Sequence, residues 1–299
     1  MAAEVLAIAA VQYPIHGGSS LTELLARIER YAVEARSGGA ELVVFPELVV
    51  LDLLETAAPV IGQGNAQIED TEAEQLRRIA DELTPLYFDG IHSLSRRLGV
   101  AILGGTAPRS TDAGIVNTAM LAFPNGQHVL QDKLFLTPDE AAWGWTTGDS
   151  LQVFDTPWGR STMLICYDSQ FPSLSHQLGE AAPELLLIPS MTCDKGLFRV
   201  RWSAQARAIE HHAYVVVVGT VDAHASTAGF HGQAVVLTPQ DSGFAGVLAE
   251  GPRNREAIVH AKLDLAQLRR SRIAAGLYAA RDQAKRAIPK LTMTTPECP

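Results

Sequence analysis

Cysteine is scarce in this sequence, with 3 among 299 residues, at positions 166, 193 and 298. So few and so widely spaced, they give no disulfide framework and no Cys-x-x-Cys metal spacing, and the expected compartment is a reducing one, the cytoplasm. No segment approaches the ~18 consecutive apolar residues of a membrane helix. The opening Met1-Ala2-Ala3-Glu4 lacks the basic stretch of a secretory signal, so no membrane partner is expected. Basic residues are in deficit too: 24 Lys and Arg against 33 Asp and Glu leave a net charge of −9, and no run of five Lys/Arg reverses it locally. Such a chain repels phosphate backbones, which excludes nucleic acid as an expected partner. The histidines show no His-Glu-x-x-His spacing, and Gly17-Gly18 and Gly104-Gly105 lack the register of a phosphate-binding loop. Neither a metal nor a cofactor is implied.

What the sequence does have is the composition of an ordinary folded chain, 47% hydrophobic and 19% charged, which excludes disorder for most of its length. Short β-branched apolar runs alternate with longer amphipathic stretches, the pattern of an α/β fold. Strands are predicted over 6–12, 42–45, 100–104, 118–123, 129–134, 162–166, 185–189, 215–220, 234–238 and 258–263. The runs Leu185-Leu186-Leu187-Ile188 and Val215-Val216-Val217-Val218 are apolar throughout, which predicts burial on both faces. Ser20 with Glu23 forms a capping box ahead of a helix that Gly38-Gly39 ends. Further helical regions span 69–98, interrupted near Pro85, and 198–213. Pro124-Asn125-Gly126 reads as a hairpin turn, so the sheet is expected to be mixed. With no repeat and no linker-like shift, a single domain is expected over 1–281, followed by a C-terminal tail over 282–299.

Three predicted strand ends deliver reactive side chains: Glu47 after Phe45-Pro46, Lys133 after Gln131-Asp132, and Cys166 where Leu164-Ile165 stops ahead of a helix that Pro172 opens. Beyond strand ends is where α/β sheets build their sites. A thiol near its ordinary pKa is mostly protonated at neutral pH, so attack on a carbonyl or nitrile needs a neighbouring base, for which Glu47 is a candidate. Lys133 and the Tyr167 amide are candidates to hold the developing oxyanion. Each residue also has a plainer reading: a core cysteine, a carboxylate at a helix start, a strand-end charge in water. Spacing alone does not bring the three together. Cys193, in the loop Met191-Thr192-Cys193-Asp194-Lys195, reads as a bystander thiol, and Cys298 as incidental. Trp143, Trp145 and Tyr167 are candidate pocket walls.

The words around these residues decide more. Ala9-Ala10-Val11-Gln12, Leu42-Val43-Val44-Phe45-Pro46-Glu47 and Asn117-Thr118-Ala119 come first. Asp132-Lys133-Leu134-Phe135-Leu136-Thr137-Pro138-Asp139-Glu140 and Leu164-Ile165-Cys166-Tyr167-Asp168-Ser169-Gln170-Phe171-Pro172 follow. Arg199-Val200-Arg201, Ala206-Arg207-Ala208-Ile209-Glu210 and His231-Gly232-Gln233-Ala234 complete the order. In this order the chain resembles the nitrilase, or carbon–nitrogen hydrolase, superfamily over nearly its whole length. It is most similar to a bacterial branch of amidase-type members, some of which carry an extra acetyltransferase domain, which is not expected within these residues.

That resemblance implies an αββα sandwich, two mixed sheets covered by helices, and a homodimer or higher homo-oligomer. It implies a triad of Glu47, Lys133 and Cys166, with a second glutamate beside the lysine, assigned to Glu140 with Asp139 as the neighbouring alternative. Tyr167, Trp143, Met191 and Thr192 are expected around the oxyanion and pocket. Ser173-Leu174-Ser175-His176 and Glu210-His211-His212 depart from the family's pattern, which touches subunit contact and pocket wall rather than the triad. The expected function is an amidase acting on a small carboxamide or N-carbamoyl compound through a cysteine thioester. A nitrile-hydrolysing enzyme and a non-catalytic binding protein on the same fold are the alternatives. Specificity is expected to reside in the loops 50–68, 222–229 and 240–246.

Overall fold

In the computed structural model, residues 3–54, 70–222, 230–283 and 285 are described. The expected specificity segments 55–68 and 223–229, Cys298 and most of the expected tail lie outside them. The strands are β1 (Val5–Gln12), β2 (Pro14–Ile15), β3 (Leu42–Val44), β4 (Ala101–Thr111), β5 (Gly114–Ala122), β6 (His128–Asp132) and β7 (Val153–Thr156). After them come β8 (Gly159–Met163), β9 (Leu185–Ser190), β10 (Tyr214–Gly219), β11 (Val221–Asp222), β12 (Val235–Asp241), β13 (Phe244–Glu250) and β14 (Ala257–Asp264). The helices are α1 (Leu21–Ser37), α2 (Asp70–Arg78), α3 (Thr84–Leu98), α4 (Pro138–Ala142), α5 (Pro172–Ala181), α6 (Asp194–His211), α7 (Leu265–Ala274) and α8 (Ala279–Gln283). The boundary expected at 281 falls inside α8.

Two six-stranded mixed sheets carry the fold, ordered β14-β1-β3-β4-β5-β6 and β13-β12-β10-β9-β8-β7. Strand alternation tells their faces apart. Leu6, Ile8 and Ala10 of β1 join the β9 run Leu185–Ile188 and the β10 run Val215–Val218 in one apolar cluster that fills the space between the sheets and continues to the outer face of the second. Ala9 and Val11 turn the other way, onto Leu24, Ile28 and Tyr31 of α1 and Tyr87 and Ile91 of α3. Val200, Ala204 and Ala208 of α6 and Leu174 and Leu178 of α5 cover the second sheet. The layers are therefore helix, sheet, sheet, helix, and the αββα sandwich is observed. Every residue of β9 and β10 is buried, as their unbroken apolar runs predict.

Local chemistry accounts for most boundaries. Ser20 and Glu23 form the reciprocal cap of α1, and β5 and β6 pair antiparallel across the Pro124-Asn125-Gly126 turn. The break expected near Pro85 takes another form: Ile79–Leu83 widen into one π turn and the helix then continues, with Pro85 in the first turn of α3. A proline lacks an N–H and crowds the carbonyl four residues back, and the wider turn accommodates both. The predicted strand 162–166 stops at Met163, because Cys166 takes a left-handed backbone, φ 47°, and opens a short 3-10 turn, Cys166–Gln170. β4 runs further than its apolar stretch, past a bulge between Leu103 and Thr106. Gly105 sits in that bulge at φ 70°, and a Cβ there would lie 2.1 Å from the Pro46 carbonyl oxygen. Only glycine lets the strand pass under the turn that carries Glu47.

Candidate active site

Beyond Val44 the chain turns sharply. Phe45 N–H still donates to the Leu103 carbonyl at 2.9 Å, Leu48 adopts φ 52°, and its N–H donates to Thr106 Oγ1 at 2.9 Å. This turn aims Glu47 between the sheets, where its side chain is 3% exposed. Lys133 follows directly on β6; its N–H donates to the Asn117 carbonyl at 2.8 Å, and its side chain is 1% exposed. Lys133 Nζ donates to Glu47 Oε1 at 2.7 Å and to Glu140 Oε1 at 2.8 Å. One ammonium thus sits between two buried carboxylates, and the neighbour in contact is Glu140 rather than Asp139.

Glu140 has a second task. Thr137 and Glu140 form a capping box on α4, with Thr137 N–H donating to Glu140 Oε2 at 2.8 Å. The cap that starts the helix therefore fixes the carboxylate beside Lys133. From the second sheet, Met191 N–H at the end of β9 donates to Glu47 Oε2 at 2.8 Å. Cys166 is 4% exposed, its Sγ 3.8 Å from the Met191 carbonyl oxygen, and it lies near enough to Glu47 for each to shift the other's titration.

Burial sets the protonation pattern. It pushes Glu47 above the usual carboxylate range, with Lys133 opposing and Glu140 adding to the rise. Burial alone would pull Lys133 down, but Glu140 and Glu47 hold it well above its ordinary value. Burial and the nearby Glu47 push the Cys166 thiol up. Cys166 therefore rests as a thiol beside a carboxylate disposed to take its proton.

Two polar residues quoted among the family-like words, but given no role there, turn out to build the site. Asn117 on β5 donates through Nδ2 to Glu47 Oε1 at 3.0 Å and to Glu140 Oε1 at 2.8 Å, holding the two carboxylates in one plane of contact with Lys133. Asn117 lies one residue before the predicted strand 118–123, and only the family-like word Asn117-Thr118-Ala119 marked it. Asp168 accepts from the N–H groups of Leu134 at 3.1 Å, Phe135 at 2.8 Å and Ile165 at 3.2 Å, clasping the Lys133 segment to the Cys166 turn. Burial pushes its carboxyl up to about 7 against the pull of Lys133 and these three donors. In Asp168→Asn an amide NH2 would face one of the N–H groups. We expect a loss of about 1–3 kcal/mol, read as a lower urea midpoint. Because the folded value is raised, Asp168 contributes stability at acid pH that is lost as pH rises through about 7, and the variant should lack that decline.

Cys166 opens onto a cavity of about 320 Å³ lined by Tyr167, Met191 and Thr192, together with Cys193, which the sequence favoured as a bystander. Thr137, Asp139, Gln170 and Arg199 also line it; all four stand in the family-like words, but only Asp139 was given a role there, as the alternative to Glu140. Trp143 is a correction: it does not line the cavity but packs edge-on against buried Trp145, ring centroids 5.0 Å apart. After α4 the backbone is drawn back to β5, with Thr146 N–H donating to the Ile115 carbonyl at 2.7 Å, and this carries both tryptophans behind the site. No cluster of His, Cys, Asp and Glu among the described residues has the makings of a metal site, and no described helix is long and apolar enough to cross a membrane.

The chain matches the family model described as Carbon-nitrogen hydrolase over residues 7–273. It is 32% identical over 275 residues to "Probable hydrolase YhcX" of Bacillus subtilis (strain 168), a match covering 89% of this chain and 51% of that protein. The chain thus spans about half the length of that relative. In fold it is similar to Saccharomyces cerevisiae Nit3, a member of branch 10 of the nitrilase superfamily, with a TM-score of 0.74 at 20% identity over 92% of this chain and 96% of that one. An amidase from Nesterenkonia sp. is similar with a TM-score of 0.69 at 19% identity, over 90% and 94%. At these identities the structures speak for the fold, while the family model spans nearly the whole sequence, and on that ground the chain belongs to the carbon–nitrogen hydrolase family.

Proposed function

We propose that this protein is an amidase that hydrolyses a non-peptide carbon–nitrogen bond in a small carboxamide or N-carbamoyl compound, with Glu47, Lys133 and Cys166 as its reacting groups. The observation that carries the reading is a buried carboxylate in contact with a buried ammonium, close beside a thiol that lines a cavity wide enough for a small ligand. Glu47 takes the Sγ proton as sulfur attacks the carbonyl carbon. The oxyanion is held by Lys133 Nζ and by the Tyr167 N–H, which at the start of a turn has no carbonyl of its own. Glu47 returns the proton to the leaving nitrogen, ammonia or an amine departs, and a thioester remains on Cys166. Water, giving a proton to Glu47, then attacks the thioester, and the carboxylic acid leaves as the thiol is restored. Glu140 and Asn117 position Lys133 and Glu47 throughout.

The test is ammonia release from a panel of small amides, N-carbamoyl compounds and nitriles, run beside Cys166→Ala. We expect release by the native protein and a fall of at least about 10⁴-fold in the variant. Undiminished turnover in Cys166→Ala would exclude the thiol mechanism, and release from nitriles alone would move the reading to a nitrilase.

A further inference from the structure

The helix that walls the cavity carries Arg199, Arg201 and Arg207, and these differ in what they touch. Arg201 pairs with Glu250 and Arg207 with Glu210, while the neighbouring Arg253 pairs with Asp194 at 3.3 Å. Arg199 is exposed and lines the cavity, and no carboxylate among the described residues lies within ion-pair distance of it. One of its terminal nitrogens lies 3.9 Å from where a Cβ on Gly196 would sit, so the guanidinium lies across the first turn of α6. Gly196 itself lines the cavity. Arg199 is the one cationic side chain among the cavity's described lining residues.

The end of the cavity at Cys166 has the opposite character. Glu47 and Glu140, buried behind the lining, share a single ammonium, and Asp139, 3% exposed, is itself part of the lining. A negative group on a ligand is repelled from that end and attracted to the rim, where a planar guanidinium offers two parallel donors to a carboxylate. We infer that Arg199 is a specificity-determining residue that recognises a carboxylate on the substrate, so that the site takes ω-amido acids, bound with the amide over Cys166 and the carboxylate at the rim. This inference rests on the amidase reading and narrows its substrate class. Because Arg199 is open to water, its attraction is screened by salt, and KM for the anionic substrate should rise with ionic strength.

The test compares glutaramate with its methyl ester, an amide of the same length without the charge. In the native protein kcat/KM should favour glutaramate by about tenfold or more. Arg199→Gln should remove that preference, mainly through KM, and Arg199→Lys should keep part of it. Equal loss on both amides in Arg199→Gln, or a native preference for the ester, would overturn the inference. Calorimetry with glutarate on Cys166→Ala separates the two ideas. If neither amide is hydrolysed, the amidase reading fails for this class of substrate, and the anion site then stands or falls on binding alone. Glutarate binding to Cys166→Ala that is lost in Cys166→Ala/Arg199→Gln supports it, and binding that is absent from the first or unchanged in the second refutes it.

Discussion

Replacing Lys133 with methionine is expected to lower stability by about 3–5 kcal/mol and to leave no measurable turnover. Methionine fills a similar volume but removes the one cation between Glu47 and Glu140, both 3% exposed in their side chains. Two buried carboxylates would then face each other, and at least one must take up a proton to stay inside. The pH dependence follows from the direction of the shift. Burial already raises Glu47 above its ordinary value, and losing Lys133 raises it further. A carboxyl raised on folding contributes stability below its unfolded pKa and loses it as pH rises through the folded one. The deficit of Lys133→Met should therefore be greatest at neutral and alkaline pH and shrink in acid, as urea midpoints across pH would record. Adding Glu47→Gln and Glu140→Gln should recover stability without activity. A single variant as stable as the native protein at pH 8 would mean that the carboxylates are not held apart from solvent as described.

Glu47→Gln is the second large effect, and here the loss is in rate. A positioned general base contributes about 10²–10⁴-fold, and kcat/KM should fall by that amount. Glutamine keeps the size of the side chain and an oxygen for Lys133 and Asn117, but its NH2 faces the Met191 N–H, so a loss of about 1–3 kcal/mol is expected, smaller than for Lys133→Met. Since the Cys166 thiol is pushed up rather than down, it depends on Glu47 for its nucleophilicity, and alkylation by iodoacetamide should slow with turnover. In the native protein kcat/KM should decline toward acid with a midpoint above the usual carboxylate range, because burial raises Glu47. Alkylation unaffected by Glu47→Gln would point to a different base.

How far residues alone reach is clear from particular cases. The apolar runs of β9 and β10 predicted burial on both faces because no polar side chain interrupts them. β13, with exposed Val247 and Leu248 at a sheet edge, gave no such signal. The length of β4 was hidden by Gly104-Gly105, which reads as punctuation and is in fact a bulge fitted to Pro46. Glu47, Lys133 and Cys166 were each visible as strand-end side chains, but their meeting was not, since it depends on two sheets packing face to face. The family resemblance supplied that meeting. It did not supply Asn117 or Asp168, whose roles are hydrogen bonds to partners distant in sequence, and proximity in sequence misplaced Trp143, which packs on Trp145 and is not among the cavity's lining residues.

The bond from the Met191 amide to Glu47 joins residues 144 positions apart and the ends of two different sheets. Lys133 likewise reaches 86 positions back to Glu47. Contacts of such separation form late, once the closure of long loops has been offset by other contacts. The constellation is thus a property of the finished tertiary structure, with no local element that preserves it, so a nascent or partly folded chain holds a thiol without its base. Its reactivity arrives together with its enclosure.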